Sequence, residues 1–223
     1  MLKSQNGWPA AADRTVVNVQ TFTVPVSQGT VQIPLRAEVA PKLIEMIRWW
    51  DENIEPVATS GPNAGTWGYA YRTIRGYTTT LSNHASGTAI DVNAPAHPLG
   101  AEGTIPAEKV AALRAKAASL GLRWGGDYRG RKDEMHFEVI TPPPVESVRY
   151  SEQRAAGIAA QAPEAAQYAV AVAKGAARKA IGGGRRELMR KLRRNWWVAG
   201  ISVAVLAAGT WVLLRPRALG KKP

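Results

Sequence analysis

Cysteine is absent from all 223 residues, which excludes disulfides, thiolate nucleophiles and Cys-ligated metals. Any metal must be held by histidine and carboxylates. Histidine is scarce as well, at three residues: His84, His97 and His136. Acidic side chains are scarce in one region only. Residues 1–150 carry 15 basic and 14 acidic groups, whereas residues 151–223 carry 14 and 3. The net charge of +12 is therefore almost wholly a property of the last third of the chain. The start of the chain lacks an apolar run of signal-peptide length: Trp8-Pro9 interrupts soon after Lys3, and no cleaved export signal is expected. Apolar residues at 45% are enough to build a core and argue against global disorder.

Residues 15–35 read as extended structure, with Val16, Val17, Val19, Phe22, Val24, Val31, Ile33 and Leu35 punctuated by Gly29 and prolines. Leu43, Ile44, Ile47 and Trp50 recur at helical spacing over 39–53, behind Pro41 in the first turn. Residues 60–70 read as a Gly-rich loop, and 88–93 alternate as a strand. A second helix is expected over 106–120, bounded by Pro106 and Gly121. A strand over 136–140 then runs into Pro142-Pro143-Pro144, the expected domain boundary. This divides the chain into a globular domain over 1–144, an Ala/Gly-rich linker or stalk over 145–184, a basic helix over 185–195, an uncharged span over 196–214 and a basic end over 215–223.

Two of the histidines sit in metal-like contexts. His84 lies in Ser82-Asn83-His84-Ala85-Ser86-Gly87-Thr88-Ala89-Ile90-Asp91, where a Gly-containing turn that folds back could bring His84 and Asp91 to one point. His136 lies in Asp133-Glu134-Met135-His136-Phe137-Glu138. Two imidazoles and a carboxylate leave a fourth tetrahedral position open for water, as in catalytic zinc sites. There is no HExxH helix. His97, in an Ala-Pro-Ala-His-Pro loop, has no partner pattern and is read as non-catalytic.

These two segments match SxHxxGxAxD and (E/D)xxH. In that order they resemble the zinc D-Ala-D-Ala carboxypeptidase and L-alanyl-D-glutamate peptidase family, which includes many phage endolysins. Gly7-Trp8-Pro9, Tyr71-Arg72-Thr73-Ile74-Arg75-Gly76 and Trp124-Gly125-Gly126-Asp127 look like the phage-type branch, and the resemblance covers roughly residues 5–141. It implies an α+β fold of the Hedgehog/DD-peptidase type, a small antiparallel sheet with flanking helices. It implies Zn2+ held by His84, Asp91 and His136, with Asp133 as general base and Glu134, one position out of register, as the competitor. It implies an arginine that steadies the oxyanion, for which Arg72 is the closest match and Arg75 the second. Ser82 is expected to support the site by hydrogen bonding. Trp124 is expected either to line the substrate groove or to sit in the core.

The implied activity is hydrolysis of a peptidoglycan stem peptide. An L-Ala-D-Glu endopeptidase acting as a phage endolysin is the first reading. A membrane-anchored bacterial D-Ala-D-Ala carboxypeptidase is the alternative, and an inactive wall-binding or structural protein the third.

Residues 196–214 carry no charge and have Trp near both ends, long enough for a transmembrane helix with interfacial anchors. Eight basic residues lie between Arg178 and Arg194 and four follow the span. That bias puts the catalytic domain on the cytoplasmic side, with the basic helix on anionic lipid, as suits a lysin held from the wall until the membrane is breached. Nucleic-acid binding is disfavoured, because the tryptophans belong to the uncharged run and not to a basic groove. The oligomeric state is not legible.

Overall fold

The computed structural model describes residues 1–180, with side chains described through residue 162. Strands β1 (Val19–Val26) and β2 (Gly29–Arg36) form an antiparallel hairpin. Its alternation is the reason for its placement: Val24, Val31, Ile33 and Leu35 are buried, while Thr23 and Gln32 pair by hydrogen bonds on the wet face. Helix α1 (Ala40–Asn53) follows, and its Leu43, Met46, Ile47 and Trp50 are fully buried at the spacing of one helix face. Helix α2 (Ala107–Ser119) contributes Leu113 and Ala117 to the same core.

The second sheet has three short strands in the order β3-β5-β4, all antiparallel: β3 (Ala89–Asp91), β4 (Leu122–Trp124) and β5 (His136–Val139). Central β5 is buried along its whole length. Its period of two sends Phe137 and Val139 into the core with Ile90, Leu122 and Trp124, and leaves His136 and Glu138 on the opposite face. The register sets Asp91 directly across from His136. The segment before β3 adds one further rung, an antiparallel bridge between Trp67 and Asp91.

The α+β class and the antiparallel sheet agree with the expectation, and three helices are present among the described residues. The two expected helices appear within a residue of their limits. Val16 and Val17 lie in turns rather than strand, and β4 was not foreseen.

The expected boundary at Pro142–Pro144 differs from the structure. Helix α3 (Val145–Ala180) starts directly after it, and the compact unit runs Met1–Gly157. The physical reason is Arg36, a fully buried cation at the end of β2. Its guanidinium donates to Pro9 O, to Ser147 O and to Ser151 Oγ, pairs with Glu38, and lies 5.0 Å over the Trp8 ring. Burial lowers its pKa from the ordinary value. A buried guanidinium stripped of partners would cost several kcal/mol, so the first turns of α3 belong to the domain and not to a linker.

The second unit comprises, among the described residues, the continuation of α3 from Ile158. No helix among the described residues is long and apolar enough to cross a membrane. The basic helix over 185–195, the uncharged span over 196–214 and the basic end all lie outside the described residues.

Candidate metal centre and active site

The first motif is a turn that delivers a histidine to a strand. Ser82 caps the 3-10 turn Asn83–Ser86, its Oγ accepting from His84 N at 3.4 Å. Gly87 ends the turn in the left-handed region at φ 71°, and a Cβ there would sit 2.6 Å from Val19 Cγ2 and 2.8 Å from Arg36 N. Only glycine meets both demands. The chain then reverses into β3, so that His84 Nε2 stands 3.2 Å from Asp91 Oδ1. The other ring nitrogen, Nδ1, lies 2.6 Å from Gly68 O. Donating there leaves the Nε2 lone pair facing the cluster.

The second motif enters from the sheet. His136 Nδ1 lies 2.8 Å from Asp91 Oδ1 and 3.2 Å from His84 Nε2. Its Nε2 lies 3.3 Å from Glu138 Oε2. Both imidazoles therefore hold their outer nitrogens against acceptors and turn inner lone pairs to one point, which they share with a carboxylate. All three groups are buried, with ligand atoms within 4.8 Å of one another. Two lone pairs at 3.2 Å repel unless a positive charge sits between them. That separation is close to the ~3.3 Å edge of a tetrahedral ion bonded at about 2.0–2.1 Å. The donor set fits a metal of the zinc type. The bare residues show the same demand for positive charge. His136 is pushed up to about 10 by Asp91 and Glu138 against the opposing effect of burial, and Asp91, which burial alone would raise, is held well below the usual carboxylate range by the two histidines.

The neighbouring carboxylates Asp133 and Glu134 are used differently. Glu134 is turned into a backbone nest, accepting from Gly103 N at 2.8 Å, Thr104 N at 2.7 Å, Ile105 N at 3.1 Å and the Thr104 hydroxyl. Burial opposes its charge, but these donors prevail and lower its pKa. Asp133 has no such partners: its Oδ1 is buried and unpaired. Burial raises its pKa; His136, His84 and Arg72 pull the other way and Asp91 pushes with it. Its carboxylate therefore lies within the electrostatic reach of the His84, Asp91 and His136 cluster. Gly125 holds the turn there, since a Cβ on it would meet Asp133 O at 2.3 Å while Asp133 N donates to Gly125 O at 3.1 Å.

Arg72 is half-buried, and its field reaches Asp133. Its guanidinium has one weak contact, to Thr73 O at 3.4 Å. Arg75 is exposed and meets the domain through its backbone carbonyl, which accepts from Arg131 at 3.2 Å. Trp124 does not line a groove. It is 3% exposed, packs in the core and donates Nε1–H to Glu134 O at 2.8 Å, so it braces the loop that carries Asp133. His97 lies outside the cluster, between Glu55 at 3.0 Å and Thr104 Oγ1 at 2.8 Å, edge-on to Trp50.

The sequence reading overlooked Glu138 and its supports. Glu138 is 2% exposed and accepts from His136, from Asn83 Nδ2 and from the Arg123 guanidinium. His136 and Arg123 hold its pKa down to about 2 against burial. Arg123 in turn lies 5.1 Å over the Tyr128 ring. The signal was present: His136-x-Glu138 on one strand points both side chains to one face. The N-terminal segment completes this shell. Asn6 N donates to Asn83 Oδ1 at 2.9 Å, and Asn6 Nδ2 donates to Thr88 Oγ1 at 2.8 Å and Val139 O at 3.0 Å.

Comparison with curated proteins and with solved structures returns no match. Comparison with family models returns one, described as D-alanyl-D-alanine carboxypeptidase, over residues 75–139. This covers under a third of the chain, starts just after Arg72, and contains His84, Asp91, Asp133, Glu134, His136 and Glu138. Residues 75–139, which hold the candidate metal centre, are thus similar to the family described as D-alanyl-D-alanine carboxypeptidase.

Proposed function

We propose that this domain is a zinc-dependent hydrolase of peptidoglycan stem peptides. The family match supports a peptidoglycan-related hydrolase. The single observation that carries the metal chemistry is the convergence of His84 Nε2, Asp91 Oδ1 and His136 Nδ1. Zinc held by those three atoms supplies a Lewis acid that acidifies a water and polarises a carbonyl. Asp133 takes the proton of the attacking water and returns it to the leaving amine. Its buried, unpaired Oδ1 is free to accept that proton. Arg72 offers a cation to the carbonyl oxygen as it gains charge. Gly68 O and Glu138 orient the two imidazoles from behind.

The bond we favour is L-Ala-D-Glu, in an endolysin of phage type. Cleavage of terminal D-Ala is the second reading, favoured by the description of the matching family. Mass spectrometry of muropeptides after digestion of purified walls decides between them: scission after L-Ala supports the first, loss of D-Ala alone the second. His84→Ala is expected to abolish wall hydrolysis and to lose stoichiometric zinc by elemental analysis. A fully active, metal-free His84→Ala protein would sink the mechanism. A separate proposal, resting on the sequence alone, is that residues 196–214 anchor the protein in the membrane with the catalytic domain on the cytoplasmic side until lysis. Recovery of the full chain in the soluble fraction without detergent defeats it.

A further inference from the structure

The sheet that carries two of the metal-binding side chains has an additional rung. Trp67 N donates to Asp91 O at 2.8 Å and Asp91 N donates to Trp67 O at 2.9 Å. Asp91 stands in turn across from His136. Directly opposed residues of antiparallel segments project to the same face. Trp67, Asp91 and His136 thus form one row on one face of the sheet. The two inner members are buried, whereas Trp67 is 50% exposed. The indole is thus a half-exposed aromatic face at the outer end of the row that holds Asp91 and His136.

A groove of about 230 Å3 opens beside this indole, lined among others by Thr30, Gln32, Thr59, Thr66 and Trp67. That falls short of the roughly 300–1,000 Å3 of sites that enclose drug-sized ligands, which limits the occupant to about one ring. None of the lining residues is charged. The lining combines threonine hydroxyls, the Gln32 amide that also pairs with Thr23, small apolar surfaces of Val31 and two alanines, and one aromatic face. The cations of the site lie elsewhere: Arg72 does not line the groove and its field reaches Asp133, while Arg123 is paired with Glu138. Exposed aromatics also gather on this segment, since Tyr71 and Tyr77 follow Trp67 at 41% and 62% exposure.

We propose that the Trp67 groove is a sugar subsite, which seats one N-acetylated pyranose of the glycan strand while the attached stem peptide crosses the metal cluster. This rests on the reading of the domain as a peptidoglycan hydrolase. Charge complementarity selects the occupant. A stem peptide carries free carboxylates and belongs on the side with arginines. A pyranose is neutral, has a C–H face that stacks on an indole, and a rim of hydroxyls that an uncharged polar lining can bond. The indole is suited to this by its apolar face and polar edge. The subsite makes the enzyme prefer stem peptides still attached to sugar.

The test uses the full chain and a tetramer of N-acetylglucosamine as probe, in isothermal titration calorimetry. Binding is expected in the parent protein and also in His84→Ala. It is expected to weaken by roughly tenfold in Trp67→Ala, and by less in Trp67→Phe, with unchanged thermal melts as the check on folding. A second measurement compares kcat/KM for a sugar-linked stem peptide with that for the free peptide; the ratio is expected to exceed one in the parent and to fall in Trp67→Ala. No binding of the tetramer, or equal binding by parent and Trp67→Ala, overturns the proposal. So does an equal loss on both substrates in Trp67→Ala, which marks Trp67 as a peptide contact. Trp67-dependent sugar binding in a protein that cleaves neither substrate upholds the groove and defeats the hydrolase reading instead.

Discussion

The two faces of the small sheet are built from the same strands and do opposite work. On one, Phe137, Val139, Ile90 and Leu122 are buried in the main core. On the other, Asp91, His136 and Glu138 are equally buried but polar, and each is tied to another polar group. The apolar face gains free energy by leaving water. The polar face spends some of that gain to hold two imidazoles and a carboxylate at one point, where they pair with one another and present a site for a cation. Strand β5 alternates between these purposes residue by residue, so adjacent substitutions should separate activity from stability.

The largest effect is expected at Asp133. Replacement by Asn keeps the shape and removes the base, so kcat should fall by about 10²–10⁴-fold with zinc content unchanged. Retention of near-full kcat would break the distinction drawn between Asp133 and Glu134. Next comes the core face. Phe137→Ala is expected to cost about 3–5 kcal/mol in denaturant unfolding, while any protein that remains folded still binds metal. A loss of metal without a loss of stability would mean that the two faces are not separable. Smaller is Glu138→Gln. It removes the charge behind His136 and is expected to weaken zinc affinity by about 10–100-fold in competition with a chelator. An unchanged affinity would reduce Glu138 to a structural anchor. Smallest is a pH effect at Glu134. Its pKa is depressed in the folded state, so its contribution to stability is complete above the unfolded pKa of about 4.3. That contribution is lost as pH falls through the lower folded value. The acid limb of the stability curve in Glu134→Gln should therefore be shallower than in the parent. Identical limbs would show that the nest around Glu134 contributes no linkage.

The parts of this molecule that were legible in its sequence are those governed by short-range period. Leu43, Ile47 and Trp50 announce α1 because a helix repeats within their spacing. The three convergent side chains were legible because the two segments that carry them match the motifs of a known family, and the Ser82–Gly87 turn and the β3–β5 pairing then bring them together. What escaped depends on distant partners. Strand β4 has three residues, too few for any alternation to be read. The division of labour between Asp133 and Glu134 is set by the Gly103–Ile105 backbone, some thirty residues away in sequence, whose N–H groups capture one carboxylate and not the other. Trp124 could be read two ways until the carbonyl it bonds was located. The domain limit was placed at the prolines because composition changes there, whereas the limit is set by Arg36, which needs Ser147 and Ser151.

Asn6 has a consequence for the order of events during folding. Its amide is satisfied by Thr88 and Val139, and its main-chain N–H by Asn83, all far away in sequence. Arg36 likewise waits for Ser151. Contacts of such long sequence separation close slowly, because loop entropy is lost before they form. The shell behind the candidate metal centre is therefore tied to contacts of long sequence separation, which close late in folding.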